Sequence, residues 1–183
     1  MKITYIKTTN NWRESADACR TTVGKKPGEG DPSPEWKRKI LLAEHSPIRL
    51  LKVKWKWTEL PYFVSTHIVR HKIGIEHFVR TQREDRTNIK RYKRRQTDYV
   101  EHECEANAQA LINISRDRLC NQSAKETRKA WLLIIDRLRF IEPELAEICV
   151  KECVYRGFCP EIKGCGYTNK SEFAKERTKY ESC

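Results

Sequence analysis

Residues 67–74 read His67-Ile68-Val69-Arg70-His71-Lys72-Ile73-Gly74. Pro61 opens a helix before them, expected to run to about Gly74. On such a helix His67, Arg70, His71 and Gly74 fall at i, i+3, i+4 and i+7 and share one face. Arg70 offers a planar fork of donors suited to phosphate or carboxylate, and Lys72 adds a point charge. His71 can donate to phosphate or ring oxygens, and Gly74 admits a ligand or a second backbone at close range. The same residues also read as a solvated basic helix end, where cations complement the helix dipole.

Upstream, Ile48–Thr58 reads as a strand. Val53, Trp55 and Trp57 alternate with Lys52, Lys54 and Lys56, so one face is apolar and the other cationic. The lysine face suits an anion, solvent, or protection against edge-to-edge pairing. The tryptophans read as core or interface residues. Met1–Ile6 alternates in the same way, and a helix follows over about Asn11–Thr21. Gly24–Pro34 holds three Gly and three Pro and reads as a loop. Ser33-Pro34-Glu35 then starts a helix to about Glu44.

Downstream, residues 75–104 are highly charged and read as irregular. Eight basic residues, Arg80, Arg83, Arg86, Lys90, Arg91, Lys93, Arg94 and Arg95, surround Tyr92. A basic stretch with an aromatic can track a nucleic-acid backbone and stack a base, or be a solvated loop. A helix is expected over Glu105–Cys120. Ser123 and Glu126 read as a capping box for a helix to about Phe140, with Trp131, Ile134, Ile135 and Leu138 as its buried stripe. Pro143 opens a further helix to about Cys153, and the tail from Arg156 reads as loop. Cys149, Cys153, Cys159 and Cys165 follow the spacing C-x3-C-x5-C-x5-C. Four thiolates can hold zinc, less readily an iron–sulfur cluster, or they are ordinary buried cysteines. His102 and Cys104 could add ligands to such a site, but a lone pair of this kind reads more simply as incidental.

The 183 residues fit one domain, with 38% hydrophobic and 34% charged residues. The net charge of +12 favours polyanionic partners: nucleotides, nucleic acid or acidic lipid. No apolar run approaches the ~20 residues of a membrane span, and Met1–Thr9 lacks a signal-peptide pattern. A cytoplasmic protein with reduced thiols is therefore expected.

The 67–72 stretch resembles the signature of flavin-dependent thymidylate synthases, Q-x-x-R-H-R-x7-S. His45-Ser46-Pro47, then a strand and Pro61, is similar to that family's lead-in. A second, independent resemblance lies in N-x-R-x3-(N or H)-x4-R followed by A-Q-x-E-I-R. Here Asn107, Gln109, Asn113 and Arg118 occupy the first pattern, and Glu126 and Arg128 match the second. The resemblance spans about residues 40–150. It implies an α+β fold of the thymidylate-synthase-complementing-protein type: one domain over residues 1–183, an antiparallel sheet flanked by helices, and a cysteine-bearing extension at 151–183.

It also implies an FAD-dependent methyltransferase, a homotetramer, that methylates dUMP at C5 with methylene-tetrahydrofolate and NADPH. By the resemblance His67, Arg70, Arg80, Thr81, Gln82 and Arg118 contact the nucleotide, with Arg118 and Arg80 as catalytic positions. Arg70, His71, Lys72, Asn107, Gln109, Asn113 and Gln122 face the flavin. The sequence departs from the pattern in several places. Arg80 stands where the signature has Ser, Lys72 replaces its last Arg, His67 its Gln, and Gln109 the later helix's Arg. Two alternatives follow: a related flavin enzyme making another C5 modification, or a non-catalytic nucleotide or nucleic-acid binder on the same fold.

Overall fold

A computed structural model covers residues 1–183. Strands β1 (Lys2–Thr8), β2 (Lys52–Pro61), β3 (Ile75–Val79) and β4 (Tyr99–Asn107) form one antiparallel sheet in the order β1-β2-β4-β3. The helices are α1 (Trp12–Thr22), α2 (Pro34–Leu42), α3 (Tyr62–Ile68), α4 (Glu84–Thr87), α5 (Ala108–Arg118), α6 (Lys125–Ile141), α7 (Pro143–Ile148), α8 (Glu152–Arg156) and α9 (Ser171–Glu181). The fold is α+β, an antiparallel sheet with helices, as expected.

The alternation in β2 decides how the layers stack. Val53, Trp55 and Trp57 point inward and are fully buried, and a bulge after Trp57 keeps Leu60 inward as well. The indoles of Trp55 and Trp57 meet edge to face at 5.5 Å, and Trp131 of α6 closes the group at 5.9 Å from Trp55. Trp57 Nε1 donates to Ala130 O at 3.1 Å and Trp131 Nε1 to Ser115 Oγ at 2.8 Å, so these two indoles have their polar edges satisfied, whereas Trp55 Nε1 is buried with no partner. Each such ring contributes roughly 4–6 kcal/mol of gross transfer free energy. The stripe Trp131, Ile134, Ile135, Leu138 is buried as its spacing predicts.

The opposite face carries the lysines, and no external anion is needed to balance them. β2 is a central strand, and β4 beside it sets Glu101, Glu103 and Glu105 on the same face. Lys56 meets Glu101 at 2.5 Å, Lys54 meets Glu103 at 2.7 Å and Lys52 meets Glu105 at 3.4 Å. These pairs hold Glu101 and Glu103 below the usual glutamate range, each mainly through its lysine hydrogen bond.

Several expectations need correction. The segment 75–104 contains β3 and most of β4. In β4 the inward residues are Val100, His102, Cys104 and Ala106, and in β3 they include His77. Histidine and cysteine at core positions, against glutamate outside, hide the hydropathic alternation. Ile48–Leu50 lies in a 3-10 turn before β2. The expected helix to Gly74 stops at Ile68. The capping box does not form: Ala124 precedes α6 without a side-chain cap, and Ser123 Oγ is buried with no partner. The helix after Pro143 breaks into α7 and α8, and the tail contains α9. By contrast, Ser33 caps α2 as predicted, accepting from Trp36 N at 3.3 Å.

Candidate functional site

Since α3 ends at Ile68, Arg70–Gly74 is a turn leading into β3, and the single helical face expected for His67, Arg70, His71 and Gly74 is absent. The turn is fixed at both ends against α5. Gly74 has φ +72°, and Asn107 N donates to Gly74 O at 2.9 Å. A Cβ at Gly74 would lie 2.7 Å from Asn107 Nδ2, so glycine is required both for the dihedral and for the approach. At the other end Arg118 Nε donates to His71 Nε2 at 2.7 Å. Asn107 and Arg118 are eleven residues apart, which returns them to nearly the same side of a helix.

That contact sets the chemistry of His71. Burial first, and then the Arg118 cation, hold its imidazole below the usual histidine range. The neutral ring accepts at Nε2, so its proton sits on Nδ1, free to donate. Burial likewise lowers Arg118, with Arg70 adding to the effect. Arg118 engages only Nε here, leaving both terminal nitrogens of its fork. Arg70, Lys72 and Arg118 take part in none of the chain's ion pairs. His67 Nδ1 meets Thr127 Oγ1 at 2.9 Å, and burial followed by Arg118 and Arg70 lowers its pKa. The result is a half-buried arginine held on a neutral histidine, with the exposed and unpaired cations Arg70 and Lys72 on either side of that histidine in sequence, which suits an anion.

The remaining predicted flavin residues are placed differently. Asn107 Oδ1 caps α5 by accepting from Ala110 N at 2.9 Å. Gln109 and Asn113 lie roughly opposite Arg118 around the helix. There Gln109 donates to Asn113 Oδ1 at 3.3 Å and also to Glu44, while Arg116 pairs with Glu44 and stacks 3.6 Å over the Tyr155 ring. Within one chain the structure does not bring Gln109 and Asn113 to His71. Gln122 Nε2 donates to Lys163 O at 2.7 Å and shares a cavity of about 330 Å3 with Arg118.

Cys153, Cys159 and Cys165 line that same cavity together with Cys120, which sequence spacing did not single out. Cys149 lines a different cavity, and its thiol, pushed up to about 12 by burial, faces Ser115. The four predicted cysteines therefore do not converge as a tetrahedral set. The only triplet of possible metal-ligating side chains that does converge is His77, His102 and Cys104.

Arg80 is exposed and lies 3.8 Å from Glu101. Thr81 Oγ1 accepts from Arg83 N at 3.2 Å. Gln82 Nε2 is buried with no partner, as is Arg94 Nε. Gln82 and Arg94, with Tyr62, Arg83, Arg91 and Arg95, line a cavity of about 520 Å3. Tyr62 enters because its backbone N donates to Asp98 O at 2.9 Å, a tie with no sequence signal. This arginine-lined cavity lies at the start of α3. The other end of α3, Ile68, lies six residues further along, roughly 9 Å by helical rise, and Arg70 follows it in the turn.

No family model matches the sequence, and no curated protein matches it. Solved structures do. The flavin-dependent thymidylate synthase ThyX from Helicobacter pylori, crystallised with FAD and dUMP, aligns over 82% of this chain and 100% of its own at TM-score 0.64 and 15% identity. A second structure of the same enzyme with FAD and dUMP aligns over 82% and 98%, with the same score and identity. The UMP/dUMP methylase PolB from Streptomyces cacaoi, bound to 5-Br dUMP, aligns over 86% and 94% at TM-score 0.62 and 12% identity. The fold is ThyX-like. That likeness covers more of the chain than the motif resemblance over residues 40–150 does.

Proposed function

We propose that this chain is a flavin-type enzyme that modifies a deoxyuridine nucleotide at C5, in the manner of a thymidylate synthase. The observation that carries the reading is the contact of Arg118 with His71, within a ThyX-like fold. It leaves an unpaired guanidinium fork beside a neutral imidazole and two further free cations, Arg70 and Lys72.

Each residue then has a physical role. The two terminal nitrogens of Arg118 grip a phosphate or a uracil carbonyl as a fork, and the Nε bond to His71 fixes the plane of that fork. Arg118 and Arg80 stand at the catalytic positions, Arg80 as the basic group where the family signature carries Ser. His71 Nδ1–H donates to an oxygen of the ligand. His67, held by Thr127, together with Thr81 and Gln82, shapes the nucleotide side.

The donor set fits a flavin in part. Arg70, His71 and Lys72 have free, exposed or half-buried donors suited to its diphosphate, whereas Asn107, Gln109 and Gln122 are already engaged within the chain. A bound flavin supplies the redox chemistry that no side chain here can. Gln109 and Asn113, turned away from His71, serve a site completed by another copy in a homotetramer. NADPH and methylene-tetrahydrofolate are the proposed cosubstrates, and the proposed compartment is the cytoplasm; no helix is long and apolar enough to cross a membrane.

The test is the visible absorbance spectrum of the purified protein, recorded before and after adding FAD and dUMP. Flavin bands that co-elute with the protein and shift on adding dUMP support the reading. A colourless protein with no response to dUMP overturns it. One observation favours a second reading, nucleic-acid binding: Tyr92 is 78% exposed with Lys90 Nζ 6.0 Å from its ring centroid, beside the arginine-lined cavity. Salt-sensitive affinity for oligonucleotides without flavin binding would select it.

A further inference from the structure

Behind the basic turn, three side chains meet inside the sheet. His77 and Cys104 are directly paired across β3 and β4, and His102 lies two residues before Cys104, on the same inward face. His77 Nδ1 and His102 Nε2 are 3.0 Å apart. Cys104 Sγ lies 3.3 Å from the first and 3.2 Å from the second. His102 and Cys104 are fully buried, and the Trp57 ring covers His102 at 5.5 Å.

The outward nitrogens show which atoms face the centre. His77 Nε2 donates to His71 O at 2.7 Å, and a carbonyl can only accept. With Nε2 committed to that carbonyl, Nδ1 is the His77 nitrogen that faces inward, and the tautomer that donates from Nε2 carries a lone pair there. His102 Nδ1 meets Ser65 Oγ at 3.1 Å, which leaves its Nε2 directed inward too. No backbone N–H and no cationic side chain reaches these three atoms.

We propose that His77 Nδ1, His102 Nε2 and Cys104 Sγ hold one zinc ion. An ion about 2.0–2.1 Å from nitrogen and 2.3 Å from sulfur sets tetrahedral ligands about 3.3 Å (N···N) and 3.6 Å (N···S) apart. The separations found here need to widen by only a few tenths of an ångström. Two imidazoles and a thiolate favour a borderline-soft ion. The Ser65 hydroxyl and the His71 carbonyl orient the rings from behind, as outer partners of metal-bound histidines do. On binding, the Cys104 thiol proton leaves to solvent and the thiolate takes its place on the ion. The fourth position is left for water.

The ion braces a particular piece of backbone. It fastens edge strand β3 to β4, and through His77 it fixes the carbonyl of His71, the residue whose ring receives Arg118. The site does not depend on the flavin reading.

The experiment uses the full chain purified without chelator. Elemental analysis should find one zinc per chain. Replacement by cobalt(II) should give the intense thiolate-to-cobalt charge-transfer band with tetrahedral d–d bands. Cys104→Ser and the edge-strand variant His77→Gln should each lose the metal and the band, whereas the double variant Cys159→Ser/Cys165→Ser should keep both. Far-ultraviolet circular dichroism verifies that each variant is folded. Folded wild-type chain that is metal-free and gives no cobalt band overturns the proposal and leaves a hydrogen-bonded relay. Metal kept in Cys104→Ser but lost in the double variant also overturns it, in favour of the C-terminal cysteines.

Discussion

Arg118 Nε lies 2.7 Å from His71 Nε2, so one hydrogen bond ties the far end of α5 to the basic turn after α3. If that fork holds the nucleotide, Arg118→Ala should weaken dUMP binding roughly 10–150-fold, the cost of a lost charged hydrogen bond. Arg118→Lys keeps the charge but not the fork and should fall between. Titration calorimetry measures both, and unchanged affinity in the alanine variant would remove the nucleotide from this site.

Gly74→Ala places a methyl against the Asn107 amide and forces a left-handed alanine. It should destabilise the fold by about 1–3 kcal/mol. Asn107→Ala alone loses the α5 cap, about 1 kcal/mol. The double variant should cost less than the sum, since the clash is gone while the dihedral strain stays. Urea unfolding of all three gives the coupling, and simple additivity would disprove the close approach.

The Lys–Glu ladder gives stability an acid limb. Glu101 and Glu103 titrate below the ordinary value of 4.5 when folded. Their contribution is fully present above that value and is lost as pH drops through the lower folded values. A Lys54→Gln/Lys56→Gln variant should therefore show a flatter decline in urea midpoint with acidification than wild type. An identical decline would mean that the ladder is not what titrates.

Trp131→Phe retains a ring but leaves Ser115 Oγ without its indole donor in the core, at a cost of roughly 1–3 kcal/mol. Adding Ser115→Ala should recover part of that loss, as read from chemical denaturation. Trp131→Ala should cost about 3–5 kcal/mol.

If the arginine-lined cavity meets a polyanion, Arg91→Ala/Arg95→Ala should lower oligonucleotide affinity equally for all sequences. The slope of log affinity against log salt should also fall by about 2. A sequence-dependent loss would point to base contacts instead.

Parts of this fold were legible because residue chemistry and burial agree. Val53, Trp55 and Trp57 announce β2, and Trp131 through Leu138 announce the buried side of α6. β3 and β4 were not legible, because His77, His102 and Cys104 occupy inward positions that hydropathy reads as polar. The site was half legible. His71 and Arg118 belong to two separate motifs in the sequence, and the structure joins them. Nothing in the helical spacing says that Gln109 bonds both Glu44 and Asn113 on the far side of α5, because Glu44 arrives from a distant turn. Cys104 was visible only as one of a pair, since its third partner comes from a strand that was itself hidden.

The ladder on the outer sheet face holds three lysines against three glutamates and is electrically silent. The chain's +12 must therefore reside elsewhere, and residues 80–95, with eight basic and two acidic side chains, carry +6 of it. The charge is unevenly spread, with a balanced ladder on the sheet and a source of positive potential in the segment that leaves β3, which begins at Arg80 beside Glu101. An approaching anion is turned toward the loop side before it touches anything, and capture should be fastest in dilute buffer and slow as counterions accumulate within a Debye length, about 10 Å at 0.1 M.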